Sequence, residues 1–188
     1  MVQIQPPLPE DISFDGALSP VFILEMFESK LTNIVEPLVN GNGCELWGID
    51  LIRGKSKPII RVYIDAIGGA TIEDCEKVSH DINFELPVNS DFIDLDYVLE
   101  VSTPGLERKF FSANQMKNYL GEKVSIKFKH SDHSFNVKKL LTLIEVVDSD
   151  IFLKDDQSNI HKVPFSNIHT CNLSPDFQLL MRNKNEKH

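Results

Sequence analysis

The tripeptide Thr103-Pro104-Gly105 divides the chain into two stretches with different hydrophobic periods. A proline lacks the N–H group that a β-ladder requires and a glycine favours turns, so a strand cannot continue through this point. Before the tripeptide, apolar residues recur at both helical and strand spacing, whereas after it the strand spacing dominates. The fold class predicted is therefore α+β, with an α/β domain over residues 20–105 and a small β-barrel domain over residues 106–175.

The first domain is predicted to contain a helix, two strands, a helix and a strand. Apolar residues from Leu24 to Leu38 have helical spacing, and Ile60, Val62 and Ile64 alternate with polar residues as in a half-buried strand. Residues 44–52 precede that strand and are predicted to form another strand. The two strands are predicted to pair as a hairpin. An antiparallel sheet with both helices on one side is the simplest arrangement that buries these apolar stripes.

The second helix of this domain is predicted to start at Thr71 and to stop before Pro87. Thr71 with Asp74 resembles a capping box, in which each residue satisfies the backbone N–H of the other. A third strand is expected over residues 97–102. Ile72, Cys75, Ser79 and Ile82 are predicted to share the inward face of this helix.

The second domain is predicted to contain five short strands within residues 109–173, which suggests a small barrel. Residues 140–147 are apolar on both faces, as in a central strand. The flanking segments, residues 1–19 and 176–188, are polar or rich in proline and are expected to be tails.

The net charge of −9 is unevenly distributed along the chain. Residues 1–108 contain 7 Lys and Arg against 19 Asp and Glu, a net charge of −12, whereas residues 109–188 contain 12 against 9, a net charge of +3. An acidic domain repels phosphate and attracts a basic protein, while a mildly basic domain tolerates RNA. The alternative interpretation is that the acidic surface only aids solubility.

Several classes of protein are disfavoured by the composition. No apolar run approaches 18 residues, so we expect no transmembrane helix and no membrane partner. The first residues lack the basic and apolar regions of a signal peptide. The three cysteines are far apart in sequence, which indicates reduced thiols. These observations predict a cytoplasmic protein.

No catalytic, metal or cofactor site is predicted. Three short motifs resemble such sites but lack the residues that would complete them: His130 with His133; Asp91, Asp94 and Asp96; and Gly68-Gly69 before a helix. No serine or cysteine has the sequence context of a nucleophile. We therefore expect that the protein is not an enzyme.

Basic residues are the candidate contacts with a partner. Three lysines share one face of a predicted strand, and such lysines could contact phosphates or could protect an edge strand by their charge. The complete set of candidate contacts is Arg61, Arg108, Lys123, Lys127, Lys129, Lys138 and Lys139.

Several stretches, in order and with matching spacing, resemble the bacterial ribosome maturation factor RimP family between about residues 20 and 173. Leu99 to Arg108, which reads LEVSTPGLER, is the most specific stretch. The family commonly has proline where this chain has Lys109, and serine where it has Thr103. The other matching stretches are residues 34–39, 43–49, 60–65, 71–79 and 163–168.

The resemblance implies a KH-like two-layer α/β domain followed by an SH3/Sm-like barrel, with Pro104, Gly105 and Leu106 at the interdomain junction. It also implies a role, without catalysis, in maturation of the 30S ribosomal subunit, including 16S rRNA folding and processing. Expected partners are the free 30S subunit, 16S rRNA within it, and the small-subunit ribosomal protein numbered twelve, bound chiefly through the barrel. We expect a monomer.

Two alternatives remain open from the sequence. The charge distribution would place a basic protein partner on the acidic domain, whereas the family resemblance points to the barrel. A free-standing RNA-binding protein that acts on mRNA or small RNA is the alternative function. The missing G-x-x-G clamp of KH domains and the charge of −12 count against this alternative.

Overall fold

The chain forms two compact units, residues 1–103 and residues 104–188. In the computed structural model, residues 20–53, 56–89, 97–129 and 139–176 are described. The predicted N-terminal tail, and the predicted C-terminal tail apart from Asp176, lie outside these ranges. None of the helices among the described residues is long and apolar enough to cross a membrane.

The first unit has the predicted order of helix, hairpin, helix and strand. Gly43, with a φ of +75°, follows the first helix, in the left-handed conformation that glycine adopts without strain at a helix end. The elements are α1 (Pro20–Gly41), β1 (Glu45–Ile52), β2 (Ile59–Asp65), α2 (Ile72–Asn89) and β3 (Val98–Ser102).

The three strands of this unit form a mixed sheet in the order β1-β2-β3. β1 and β2 pair antiparallel, as the hairpin prediction requires. β3 runs parallel to β2, with Ile59 opposite Val98 and Tyr63 opposite Ser102, so the prediction of an antiparallel sheet was wrong. The reason is that α2 carries the chain back across the sheet, and such a crossover connection delivers the next strand in the same direction.

One hydrophobic core joins both helices to one face of this sheet. α1 contributes Val35 and Val39, and β2 contributes alternate residues, as its period predicted. Both helices therefore lie on the same side of the sheet, as expected. The fully buried side chains of this core are Val35, Val39, Val62, Ile64, Val78, Ile82 and Leu86.

The buried face of α2 differs from the prediction at its first turn. Ile72 is 83% exposed, whereas Val78 and Leu86 are fully buried together with Ile82. At 100° per residue, Ile72 lies about 80° around the helix from Ile82, at the margin of the buried stripe. α2 also extends through Pro87 to Asn89. A proline near a helix end removes one hydrogen bond, a loss that the packing of the buried face offsets.

The second unit contains one antiparallel sheet of five strands in the order β7-β6-β5-β4-β8. A short helix, α3 (Ala113–Met116), and a 3₁₀ turn over residues 117–119 precede the sheet, and another 3₁₀ turn over residues 165–167 leads into its last strand. The strands are β4 (Lys123–Phe128), β5 (Lys139–Val147), β6 (Asp150–Lys154), β7 (Ile160–Pro164) and β8 (Ile168–Leu173).

The sheet of the second unit has the predicted number of strands but is not a closed barrel among the described residues, since no ladder joins β7 to β8. β5 is central, as expected, yet only its inner face is covered. Leu141 and Leu143 are buried, whereas Leu140 and Ile144 are exposed. A strand that is apolar on both faces therefore has one face in contact with solvent here.

Candidate functional site

β4 lies inside the sheet, between β5 and β8. The interpretation that its lysines protect an edge strand was therefore wrong. Val124 and Ile126 are fully buried on the inner face, so Lys123 and Lys127 belong to the outer face because successive strand residues alternate. Among the described residues, neither lysine has an ion-pair partner.

A basic cluster forms where β4 meets β8. The ladder between these strands shifts register between Lys127 and Phe128. Partial burial lowers the pKa of His169, and the positive charges of Lys127, Lys109 and Lys129 lower it further. These four residues, Lys109, Lys127, Lys129 and His169, are called the basic cluster below. Three positive charges around an imidazole are suited to bind phosphate oxygens.

Lys109 and His169 were not among the candidate contacts from the sequence. Lys109 is joined to Asn172 of β8 by an isolated antiparallel bridge, which places it beside the sheet. Its Nζ atom lies 4.8 Å from the ring centre of Phe111, a cation–π contact. One sign of Lys109 as a contact was present in the sequence, since Arg108 and Lys109 are adjacent basic residues before Phe110, which the structure buries. The position of Lys109 beside β8 depends on contacts distant in sequence.

The structure does not bring the candidate lysines together on one surface. Lys139 is opposite Ile126 in the β4–β5 ladder, and directly opposed residues point to the same side of a sheet. Lys139 therefore belongs to the side opposite that of Lys123 and Lys127. Lys138 lies outside the described residues. The basic cluster thus contains two of the five lysines predicted in this unit.

Arg61 is held in an ion pair on the first unit. Its Nε atom donates a hydrogen bond of 2.6 Å to Oε2 of Glu100, its partner across the parallel β2–β3 ladder. This hydrogen bond, and a second one with Tyr63, raise the pKa of Arg61 above its ordinary value. A phosphate at Arg61 would have to compete with the carboxylate of Glu100.

Arg108 organises the segment that follows the junction. Its Nε atom donates to the carbonyl oxygen of Gly105 at 3.2 Å, and its Nη1 atom donates to the Tyr119 hydroxyl at 2.8 Å. Gly105 has a φ of +70°, a conformation that a side chain would strain. Of the remaining junction residues, Pro104 is half-buried and Leu106 is 62% exposed.

The described residues contain no group of three or more His, Cys, Asp or Glu side chains placed to hold a metal ion. The motifs with Asp91, Asp94 and Asp96 and with His130 and His133 lie outside the described residues. Burial raises the pKa of the Cys44 and Cys75 thiols, and it raises that of Cys171 to about 12. Thiols with raised pKa values are poor nucleophiles.

The Gly68-Gly69 turn leads into a helix start that is already capped. Thr71 N–H donates to Asp74 Oδ2 at 2.8 Å, and Asp74 N–H donates to Thr71 Oγ1 at 3.2 Å, which confirms the predicted capping box. Hydrogen bonds from the backbone N–H and the hydroxyl of Thr71 to the Asp74 carboxylate lower the pKa of Asp74. A phosphate at this position would meet an ionised carboxylate, so the turn has a structural role.

These features define an α+β protein of two units, in which the first has two helices on one face of a mixed sheet and the second has a basic cluster on a β-sheet. Residues 34–107 match the family model described as the RimP N-terminal domain. The match confirms the resemblance to the RimP family of ribosome maturation factors that the sequence shows over these residues.

Proposed function

We propose that this protein binds the immature 30S subunit and assists both 16S rRNA folding and processing and the incorporation of ribosomal proteins. The observation that carries the proposal is the RimP N-terminal domain over residues 34–107. The proposed partners are the free 30S subunit, 16S rRNA within that particle, and the small-subunit ribosomal protein numbered twelve. The protein acts in the cytoplasm as a monomer, and it is not an enzyme.

The two units supply different chemistry for this role. The basic cluster of Lys109, Lys127, Lys129 and His169 suits the phosphates of 16S rRNA. The acidic first unit suits a basic ribosomal protein. We also propose that the second unit corresponds to the SH3/Sm-like barrel, and the first to the KH-like domain, that the family resemblance implies. A ribonucleoprotein particle offers both kinds of partner at once.

A free-standing RNA-binding protein is the second candidate, and the basic cluster is the observation that favours it. Such a protein needs a surface on which bases can stack. On the first unit, the position that an RNA-binding sheet would use is occupied by the ion pair of Arg61 with Glu100. This ion pair counts against the second candidate, and the family match favours action on the ribosomal particle.

The proposal is tested in a strain that lacks the gene. It should accumulate 16S rRNA precursor and free subunits, because 30S maturation is delayed. The wild-type chain should restore the normal ribosome profile, measured by sucrose-gradient sedimentation and by primer extension at the ends of 16S rRNA. A deletion strain with a normal profile and fully processed 16S rRNA would contradict the proposed function.

A matched pair of double variants tests the basic cluster in the same strain. Lys127→Glu with Lys129→Glu should restore maturation poorly, since it places negative charge where rRNA phosphates are proposed to bind. Lys117→Glu with Lys154→Glu changes the net charge by the same amount outside the cluster and should restore maturation. Equal restoration by both pairs would exclude a role of the cluster.

A further inference from the structure

A groove lies between α1 and α2 on the first unit. Its volume is about 380 Å³, enough for one or two side chains and small for a drug-sized ligand. The groove is open to solvent and combines apolar with acidic side chains. Its lining residues are Leu38 of α1 and His80, Asp81, Phe84 and Glu85 of α2.

The apolar part of the groove is formed by Phe84 and Leu38. Phe84 is 69% exposed, so its ring has little part in the core of this unit. Leu38 is half-buried and packs against that core from the other helix. An aliphatic or aromatic side chain seated between them would remove the exposed face of the phenyl ring from water, which is favourable.

The acidic part of the groove is held in place by Asn42, the residue that follows α1. Asn42 Nδ2 donates to Asp81 Oδ2 at 2.8 Å and to the carbonyl oxygen of Leu38 at 2.9 Å. The hydrogen bond from Asn42 lowers the pKa of Asp81, so this carboxylate is ionised at neutral pH. Glu85 follows one helical turn later on the same side of α2.

The surrounding charge selects a cationic occupant. α1 and α2 together contain eight Asp and Glu residues and two Lys residues. This excess of negative charge repels a nucleic acid and attracts a segment rich in Lys and Arg. An apolar floor beside the carboxylates of Asp81 and Glu85 is complementary to an apolar side chain with basic neighbours, rather than to an isolated cation.

We propose that the groove between α1 and α2 binds a Lys/Arg-rich protein segment, with one apolar side chain seated against Phe84 and basic side chains beside Asp81 and Glu85. This inference goes beyond the proposed function, because it assigns a surface and a mode of recognition. It is tested without ribosomes, so its failure is distinguishable from failure of the proposed function.

The test is an NMR titration of the isotope-labelled full chain with a short synthetic peptide of Lys, Arg and Ser around one central Leu. Amide shifts should be concentrated at the groove residues. Phe84→Ala should weaken binding about tenfold or more, because it removes the apolar contact. Glu85→Gln should weaken it about two- to fivefold, as for an exposed ion pair.

Two control variants lie on the same helix outside the groove. Ile72→Ala removes another exposed apolar side chain, and Glu76→Gln removes another exposed carboxylate. Both should bind the peptide as the wild type does. A peptide in which Ser replaces the central Leu should bind about as weakly as the wild-type peptide binds the Phe84→Ala variant.

Several results would overturn the inference. These are no binding by the wild type, equal binding by all the variants, or shifts centred elsewhere on the chain. Shifts of the groove residues produced by an RNA oligonucleotide would assign the groove to nucleic acid instead. Self-association that depends on protein concentration and disappears in the Phe84→Ala variant would assign it to a second copy of this chain.

Discussion

His169 is the residue whose surroundings report most directly on the basic cluster. Its imidazole is partly buried and lies near three ammonium groups, and both conditions disfavour its protonated form. Each lysine should therefore lower the pKa of His169 by an amount that depends on its distance from the imidazole. A bound phosphate would have the opposite effect, because its negative charge stabilises the imidazolium.

The first prediction is that Lys127→Ala raises the pKa of His169, because one of the neighbouring positive charges is removed. A polyphosphate added to the wild type should also raise this pKa. Both are measured by following the imidazole carbon-bound protons with pH by NMR. Lys154→Ala, which changes a lysine on β6, should leave the titration unchanged. No difference between the two variants would contradict the cluster geometry.

Asp155 organises the turn between β6 and β7. Its carboxylate accepts a hydrogen bond of 2.9 Å from the backbone N–H of Asn159 and lies 2.9 Å from Nε2 of His161. These contacts, with that to His161 the largest, lower its pKa from 3.8 to about 2. A carboxyl with a depressed pKa in the folded chain stabilises that state when it is ionised.

The second prediction concerns acid stability. The stabilisation from Asp155 is present above the unfolded-state pKa of 3.8 and is lost as the pH falls toward about 2. Asp155→Asn should therefore destabilise the turn near neutral pH and reduce the dependence of its stability on pH between these values. Both effects are measured by hydrogen exchange of the backbone amides of residues 155 and 158, compared between the wild type and the variant at several pH values. An identical pH dependence in both proteins would exclude the proposed linkage.

For single residues, contacts between positions close in sequence were predictable, whereas contacts between distant positions were not. The capping box of Thr71 with Asp74 spans three positions and follows from local geometry alone. The pair of Arg61 with Glu100 spans 39 positions and depends on the register of two strands. The same limit applies to Lys109 and His169, which become neighbours only when the chain beside β8 is in place.

At the scale of the elements, α2 shows where a hydrophobic stripe ends. Val78, Ile82 and Leu86 recur every fourth residue and are fully buried, while Ile72 is exposed in the first turn. Two isoleucines on one helix therefore have opposite environments. Because the intrinsic helix propensity of the residue is the same at both positions, the pair isolates the contribution of burial.

The third prediction is that Ile82→Ala lowers the free energy of unfolding by about 2–5 kcal/mol, through lost burial and the cavity that remains. Ile72→Ala should change it by less than about 0.5 kcal/mol. Urea unfolding followed by fluorescence measures both, since the only tryptophan, Trp47, is in β1 of the same unit. Equal losses in the two variants would contradict the orientation of α2.

The type of each element followed from its hydrophobic period, but its partners did not. Alternation identified β2 because Ile60, Val62 and Ile64 face the helices. The direction of β3 depends on the path of the connection, which periodicity does not encode. Likewise, the number of strands in the second unit was predictable, whereas closure depends on pairing between its terminal strands β7 and β8.

At the scale of the whole molecule, the division of charge follows the division into units. The boundary between the compact units falls after Thr103, close to the point where the sequence changes from a net charge of −12 to +3. Two weak surfaces on one chain bind jointly more strongly than either alone, because the second contact forms at a high effective concentration. Such binding also allows release when either surface loses its partner.

The fourth prediction is that the isolated units bind 30S particles far more weakly than the intact chain. Residues 20–103 and 104–176, expressed separately, should each show a loss of affinity of about 10²-fold or more in a filtration or sedimentation assay. The fold of each fragment is checked first by NMR. Binding by one fragment as tight as that of the intact chain would contradict the two-surface account.

The central claim is that this chain acts on the small ribosomal particle rather than on free RNA. The most direct measurement is co-sedimentation of the full chain with purified immature 30S particles, compared with naked 16S rRNA across a range of salt concentrations. The account predicts tighter binding to the particle, with a shallower dependence on salt than for naked rRNA, because proteins contribute part of the contact. Equal or tighter binding to naked rRNA, with a steep dependence on salt, would contradict it.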